Sequence, residues 1–105
     1  MPTLPITVVR IYSREKEHQL QKVLRYLHDD HRVMGATILR GVEGFGLDGI
    51  MHDASLVDLS FDLPLILEFF DQPERVETIL KDLESHMSLH EVMTFQATFK
   101  TPDPR

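Results

Sequence analysis

Asp62–Glu74 reads DLPLILEFFDQPE, and this stretch decides the architecture. Asp62–Phe70 is strongly apolar, the composition of a buried strand. Pro64 cannot donate to a sheet ladder, which places it near the strand's start or on an edge. Because strand side chains alternate, Leu63, Leu65, Leu67 and Phe69 share one side, and Ile66 and Phe70 share the other. Asp71-Gln72-Pro73-Glu74 then signals a helix start, with a capping Asp, a Pro in the first turn and a Glu at the third helical position. Val76, Ile79, Leu80, Leu83 and Met87 follow at the spacing of one buried helix face. Val92–Phe99 (VMTFQATF) reads as the last strand, and Thr101–Arg105, with two prolines, as a frayed tail.

The same reading extends upstream. Ile6–Tyr12 (ITVVRIY) is β-branched and aromatic, which predicts the first strand. Ser13 is the expected cap of the first helix, with Glu15 and Glu17 in its first turn, where the helix dipole favours them. Leu20, Val23, Leu24 and Leu27 form its buried stripe. The helix should fade through His28–Arg32 and stop before Gly35. Ala36–Glu43 (ATILRGVE) is the second strand. Gly44–Ser60 shows no clean period and reads as a long loop, with a short helical turn at Ala54–Asp58.

The order is βαββαβ, an α+β class: the ferredoxin-like plan, a four-stranded antiparallel sheet with two helices on one face. The chain is expected to be one domain, 1–105, with a flexible loop at 46–60 and a tail at 101–105. Such a sheet normally alternates apolar and polar residues, because its second face is wet. Here the alternation fails. Ile6 and Val8 oppose Val9 and Ile11 in strand 1, and Met93, Phe95, Ala97 and Phe99 oppose Val92 in strand 4. Two helices cover one face only, so the other cover is expected to be further copies of the chain.

Composition narrows the function classes. The 105 residues contain no cysteine, which excludes disulfides, thiolate metal sites and thiol nucleophiles, and fits a reducing compartment. Net charge is -6, a poor match for a nucleic acid backbone. No stretch approaches the roughly 20 apolar residues of a membrane span, and MPTLPITVVRIY lacks the marks of a signal peptide. The expected location is the cytoplasm, with no direct insertion into a membrane.

The chemistry should lie in Arg40–Pro64. Gly41, Gly44, Gly46 and Gly49 are four of the chain's five glycines. Glycines this close allow a ligand or another chain to approach the main chain. The segment is not a phosphate loop of the GxxxxGK[ST] kind, since no Lys follows. A loop this long is usually functional or disordered. Leu47, Ile50, Met51, Leu56 and Val57 make it too apolar for a solvated spacer. His52 stands among Asp48, Asp53 and Asp58, with Ser55 and Ser60 nearby. A flexible loop gives little preorganisation for catalysis, so no catalytic residue is assigned and the chain is not expected to be an enzyme. His52 with Asp48 or Asp53 falls short of the three or four converging ligands of a metal site, and none is assigned.

Gly35–Gly46 (GATILRGVEGFG), His52, Leu59-Ser60 and Asp62-Leu63-Pro64 closely resemble the uncharacterised PII-like family, domain of unknown function 190. The Ser13–Lys16 turn and Asp71 add to the likeness, which covers nearly the whole chain. A more distant likeness is to the nitrogen regulatory PII proteins, which also carry Gly-Phe-Gly at the end of strand 2. The resemblance implies a ferredoxin-like homotrimer. Its 44–58 loop would correspond to the effector loop that PII proteins insert into transporters and enzymes, and its intersubunit clefts to their adenine-nucleotide sites. It implies ligand contacts at Arg40, Gly41, Gly44, Phe45, Gly46 and Lys100. It implies partner contacts at Leu47, Asp48, Ile50, Met51 and His52, the target being a membrane transporter or another protein.

Arg40 would pair an anionic group. Phe45 would pack in the core or on a base, the core being favoured. His52 would anchor the loop or respond to pH. Three PII phosphate-binding elements lack counterparts. Leu47 and Asp48 replace a Gln, Leu65 replaces a Lys, and Ser85–Glu91 holds neither Gly nor Lys. Arg40 and Lys100, with Lys16, are the remaining basic candidates, which leaves room for a less charged nucleotide. The alternative reading is a divalent-metal-binding trimer of the metal-tolerance type.

Overall fold

The computed structural model describes residues 2–14, 18–53, 63–89 and 91–102. Six strands and two helices follow in order: β1 Thr3–Arg14, α1 Gln19–Tyr26, β2 Gly35–Arg40, β3 Glu43–Gly44, β4 His52–Asp53, β5 Pro64–Asp71, α2 Pro73–His86 and β6 Glu91–Lys100. A single π-helical turn, Leu27–His31, prolongs α1. The main sheet runs β2-β5-β1-β6, while β3 and β4 pair separately. Every neighbour pair in it is antiparallel. This is the ferredoxin-like α+β plan that the sequence predicts.

Alternation in β1 and β5 sorts the residues. Val9 and Ile11, with Leu65, Leu67 and Phe69, face the helices. They pack against Leu20, Val23 and Leu27 from the first helix and its π turn, and Val76, Ile79 and Leu83 from α2. Burying an aliphatic or aromatic side chain contributes roughly 1.5–3 kcal/mol, so this cluster holds the layers together. The opposite face is apolar too. Ile6 and Val8 are buried there. Val8 lies opposite Phe70 on one side and Phe95 on the other. Phe70 stacks on Phe99 with centroids 5.1 Å apart. Its ring also closes over Gly35, where a Cβ would lie 2.5 Å from Phe70 Cε1. On the same face Arg10 donates to Glu68 at 3.0 Å and stands 5.5 Å over the Phe95 ring. Leu39, Met93 and Phe95 remain exposed.

The element ends differ from the sequence reading. Ser13 belongs to β1, so it does not cap α1, which begins after His18 in the left-handed region at φ 54°. Glu15, Lys16 and Glu17 lie outside the described residues, as does the expected turn at Ala54–Asp58. Asp71 ends β5, and α2 begins with Gln72 as its cap and Pro73 as its first residue. Asp71 is buried and accepts from Met34 N at 3.2 Å, Gln72 N at 2.7 Å and Arg75 Nη1 at 2.8 Å. Arg75 also donates to the His31 carbonyl, tying α2 to the π turn.

Asp82 is the hub of the outer helix surface. It accepts from Tyr26 Oη at 2.5 Å and bonds His31 Nε2 at 2.8 Å, and His86 Nδ1 lies 3.5 Å from it. These histidines hold partners within the helix layer, whereas His28 is solvated beside Asp29. The hydrogen bond to Asp82, then partial desolvation, pushes the Tyr26 phenol up to about 12. The Tyr26 and His31 bonds hold the Asp82 carboxyl below its ordinary value. A raised phenol favours the folded state fully below the unfolded value, about 10, and loses that contribution as pH climbs to about 12. Ultraviolet titration of a Tyr12→Phe variant should therefore show the Tyr26 midpoint near 12. Adding Asp82→Asn should bring it back toward about 10. A midpoint unmoved by that change would show that Asp82 is not the cause.

Candidate functional site

Three pieces of the chain meet at the end of the sheet where β1 finishes and β6 begins. Gly41 N donates to the Pro64 carbonyl at 2.8 Å, which continues the β2–β5 pairing to the mouth of the loop. Gly44 is pressed against the same proline, where a Cβ would lie 3.3 Å from Pro64 Cγ. The chain then turns out and returns, with Glu43 pairing Asp53 and Gly44 pairing His52. The tip is a tight turn: Gly49 N donates to the Gly46 carbonyl at 3.0 Å, and Ile50 N to Asp48 Oδ1 at 2.9 Å. Gly49 adopts φ 72°, which favours glycine. The first part of the long loop is thus a short hairpin with its own hydrogen bonds.

This hairpin forms one wall of a pocket of about 240 Å³. Gly44, Phe45, Gly46, Asp48 and His52 line it from the loop. Tyr12, Ser13 and Arg14 line it from the end of β1, with Pro64 and Glu91 closing the sides. His52 is half-buried, and its Nε2 is enclosed. The hairpin's outer surface is apolar and open. Leu47 is 91% exposed, Phe45 68%, and Ile50 and Met51 more than half. Phe45, expected in the core, lines the pocket instead and is exposed, since it follows β3 into the outward turn of the hairpin.

The structure brings together five of the eleven residues singled out from the sequence. Arg40 ends β2 as an exposed residue opposite Leu65. Lys100 lies far off. Glu91 pairs with Tyr12 at the pocket, whereas Lys100 pairs with Thr3 at the other end of β6. Nine strand steps separate them, about 30 Å. Tyr12, Ser13, Arg14 and Glu91 escaped the sequence reading as site residues. Ser13 and Arg14 lie in the Ser13–Lys16 stretch that adds to the family likeness and Glu91 ends the Ser85–Glu91 stretch, but no motif marks them, and the β1–β6 register sets Glu91 beside Tyr12. Among the described residues no group of three or more His, Asp or Glu side chains converges as a metal site, and no helix is long and apolar enough to cross a membrane.

The fold is that of PII-like proteins. CPII of Thiomonas intermedia K12, solved bound to ADP and bicarbonate, superposes with a TM-score of 0.62 at 19% identity, covering 98% of this chain and 94% of its own. A PII-like signalling protein of Thermus thermophilus gives 0.54 at 18% identity, covering 94% and 91%. CutA1 of Oryza sativa gives 0.57 at 13% identity, covering 96% and 85%. At these identities the likeness establishes the fold. Residues 4–98 match the model of DUF190, described as "Uncharacterized ACR", and the chain belongs to that family. A UPF0166 protein of Aquifex aeolicus is 32% identical over 75 residues, 71% of this chain and 76% of its own length. One from Methanocaldococcus jannaschii is 30% identical over 81 residues, 72% and 73% respectively.

The hairpin tip depends on the Asp48 side chain. Asp48→Ala removes the acceptor of the Ile50 amide, an exposed bond worth about 1 kcal/mol. Hydrogen exchange at Ile50 should quicken about 5-fold while exchange in β1 stays constant. Unchanged exchange at Ile50 would show that the turn holds without that side chain.

Proposed function

We propose that this chain is a non-catalytic, cytoplasmic PII-like regulatory protein that works as a homotrimer. A small effector, an adenine nucleotide, fills the cleft between subunits, and the 44–58 loop carries the response to a protein target. The observation that carries this reading is the pocket itself. Gly44, Phe45 and Gly46 line it, and the same hairpin that walls it displays Leu47, Ile50 and Met51 to solvent. Whatever occupies the pocket therefore touches the element that would meet a partner.

The apolar second face of the sheet supports assembly from further copies. Lys100, remote from the pocket of its own chain, would serve only the pocket of a neighbour. Arg40, at the mouth of the loop, would pair with an effector phosphate as a charge-assisted contact. CPII, with the same fold, was solved bound to ADP and bicarbonate, which supports an adenine nucleotide as the effector. The effector would act by binding one loop arrangement more tightly than another, since equal affinity shifts nothing. The target class, a membrane transporter or another protein, rests on analogy with PII proteins.

Thermal-shift measurements test the reading. AMP, ADP or ATP at about 100 times its dissociation constant should stabilise the protein by about 2.7 kcal/mol. Arg40→Ala should lose most of that gain. Stabilisation by divalent cations alone, lost in His52→Ala, would replace the nucleotide reading with the metal-binding one.

A further inference from the structure

Glu91 holds an unusual place in this pocket. It opens β6, where its backbone is fixed by pairing with Tyr12, and its half-buried side chain turns toward the loop. Both carboxylate oxygens lie close against Gly46. A Cβ built there would stand 3.2 Å from Oε2 and 3.3 Å from Oε1, tighter than ordinary van der Waals contact. Gly46 therefore makes room for the Glu91 carboxylate itself. Asp48 adds a second carboxylate to the lining, against the single guanidinium of Arg14 and the imidazole of His52. The pocket of one chain thus carries an excess of negative charge. Its acidic oxygens suit donors such as ring amines and ribose hydroxyls, and oppose additional phosphates.

We infer that Glu91 is a specificity-determining residue that ranks effectors by charge, favouring a nucleoside monophosphate over the di- and triphosphate. The inference rests on the nucleotide reading above and adds a selection rule to it. Repulsion grows with each added phosphate charge. It weakens with salt, since the pocket is open and the Debye length shrinks to about 3 Å at 1 M. Glu91→Gln keeps the shape and removes the charge. Glu91→Ala removes both.

Calorimetric titration of the full chain with AMP, ADP and ATP, at low and high salt, tests this. The wild type should bind AMP at least as tightly as ADP, and ATP most weakly. Glu91→Gln should narrow the AMP-to-ATP gap about 10-fold while AMP affinity moves less than about 3-fold. Glu91→Ala should shift the gap in the same direction, and salt should narrow it more in the wild type than in either variant, where Asp48 alone remains. Equal changes for all three nucleotides in both variants would overturn the selector role while leaving nucleotide binding intact. Binding of none of the three by wild type or either variant would remove the nucleotide reading, and the selector with it.

Discussion

The structure depends on a strand that is apolar on both sides. In β1, Val9 and Ile11 pack under the two helices, while Ile6 and Val8 are buried on the opposite face among Phe70, Phe95 and their neighbours. A ferredoxin-like sheet has helices for only one of these faces. The second face is closed within the chain as far as a single layer allows. Phe70 covers Gly35 and stacks on Phe99, and Arg10 is held by Glu68 and lies over Phe95. Of the large apolar residues on this face, Leu39, Met93 and Phe95 stay exposed. Leu39 lies on one edge strand and Met93 and Phe95 on the other, with the Arg10–Glu68 pair between them, a mixed surface that would suit another copy of the chain.

The pocket follows from the same strand. Because β1 is central, its end carries Tyr12, Ser13 and Arg14 to the point where β6 begins at Glu91 and the loop hairpin folds back at His52. The glycines there differ in purpose. Gly44 lets the chain pass Pro64, Gly49 takes the positive φ of the tip, and Gly46 leaves space for the Glu91 carboxylate. A phosphate cradle built on clustered Lys and main-chain amides would look different, and that agrees with the absence of the PII Gln and Lys positions from this sequence. The fold of PII-like proteins is kept, and the pocket lining carries the carboxylates of Asp48 and Glu91.

Periodicity made the element order legible. The 3.6-residue stripes of Leu20–Leu27 and Val76–Leu83 and the two-sided run Leu65–Phe70 were enough for the βαββαβ plan. Boundaries were harder, because local signals compete with tertiary ones. Ser13 has the chemistry of a cap, yet pairing with Leu65 keeps it in β1. The π turn at Leu27–His31 has no mark in the sequence, since its anchors, Asp82 and Arg75, come from the other helix. The site was half legible. Gly44–Gly46 and His52 announced themselves by clustering, whereas no motif marked Glu91 or Arg14, and register set Glu91 beside Tyr12. Phe45, favoured for the core, is exposed on the hairpin because the chain turns outward after β3.

The central claim is that the second sheet face belongs to an assembly. Size-exclusion chromatography with light scattering tests it most directly, on the wild type and on Phe95→Asp, a substitution at a side chain 39% exposed in the single chain. The expected result is three times the 12.2 kDa chain mass for the wild type and the single-chain mass for the folded variant. A monodisperse wild type at 12.2 kDa would contradict it.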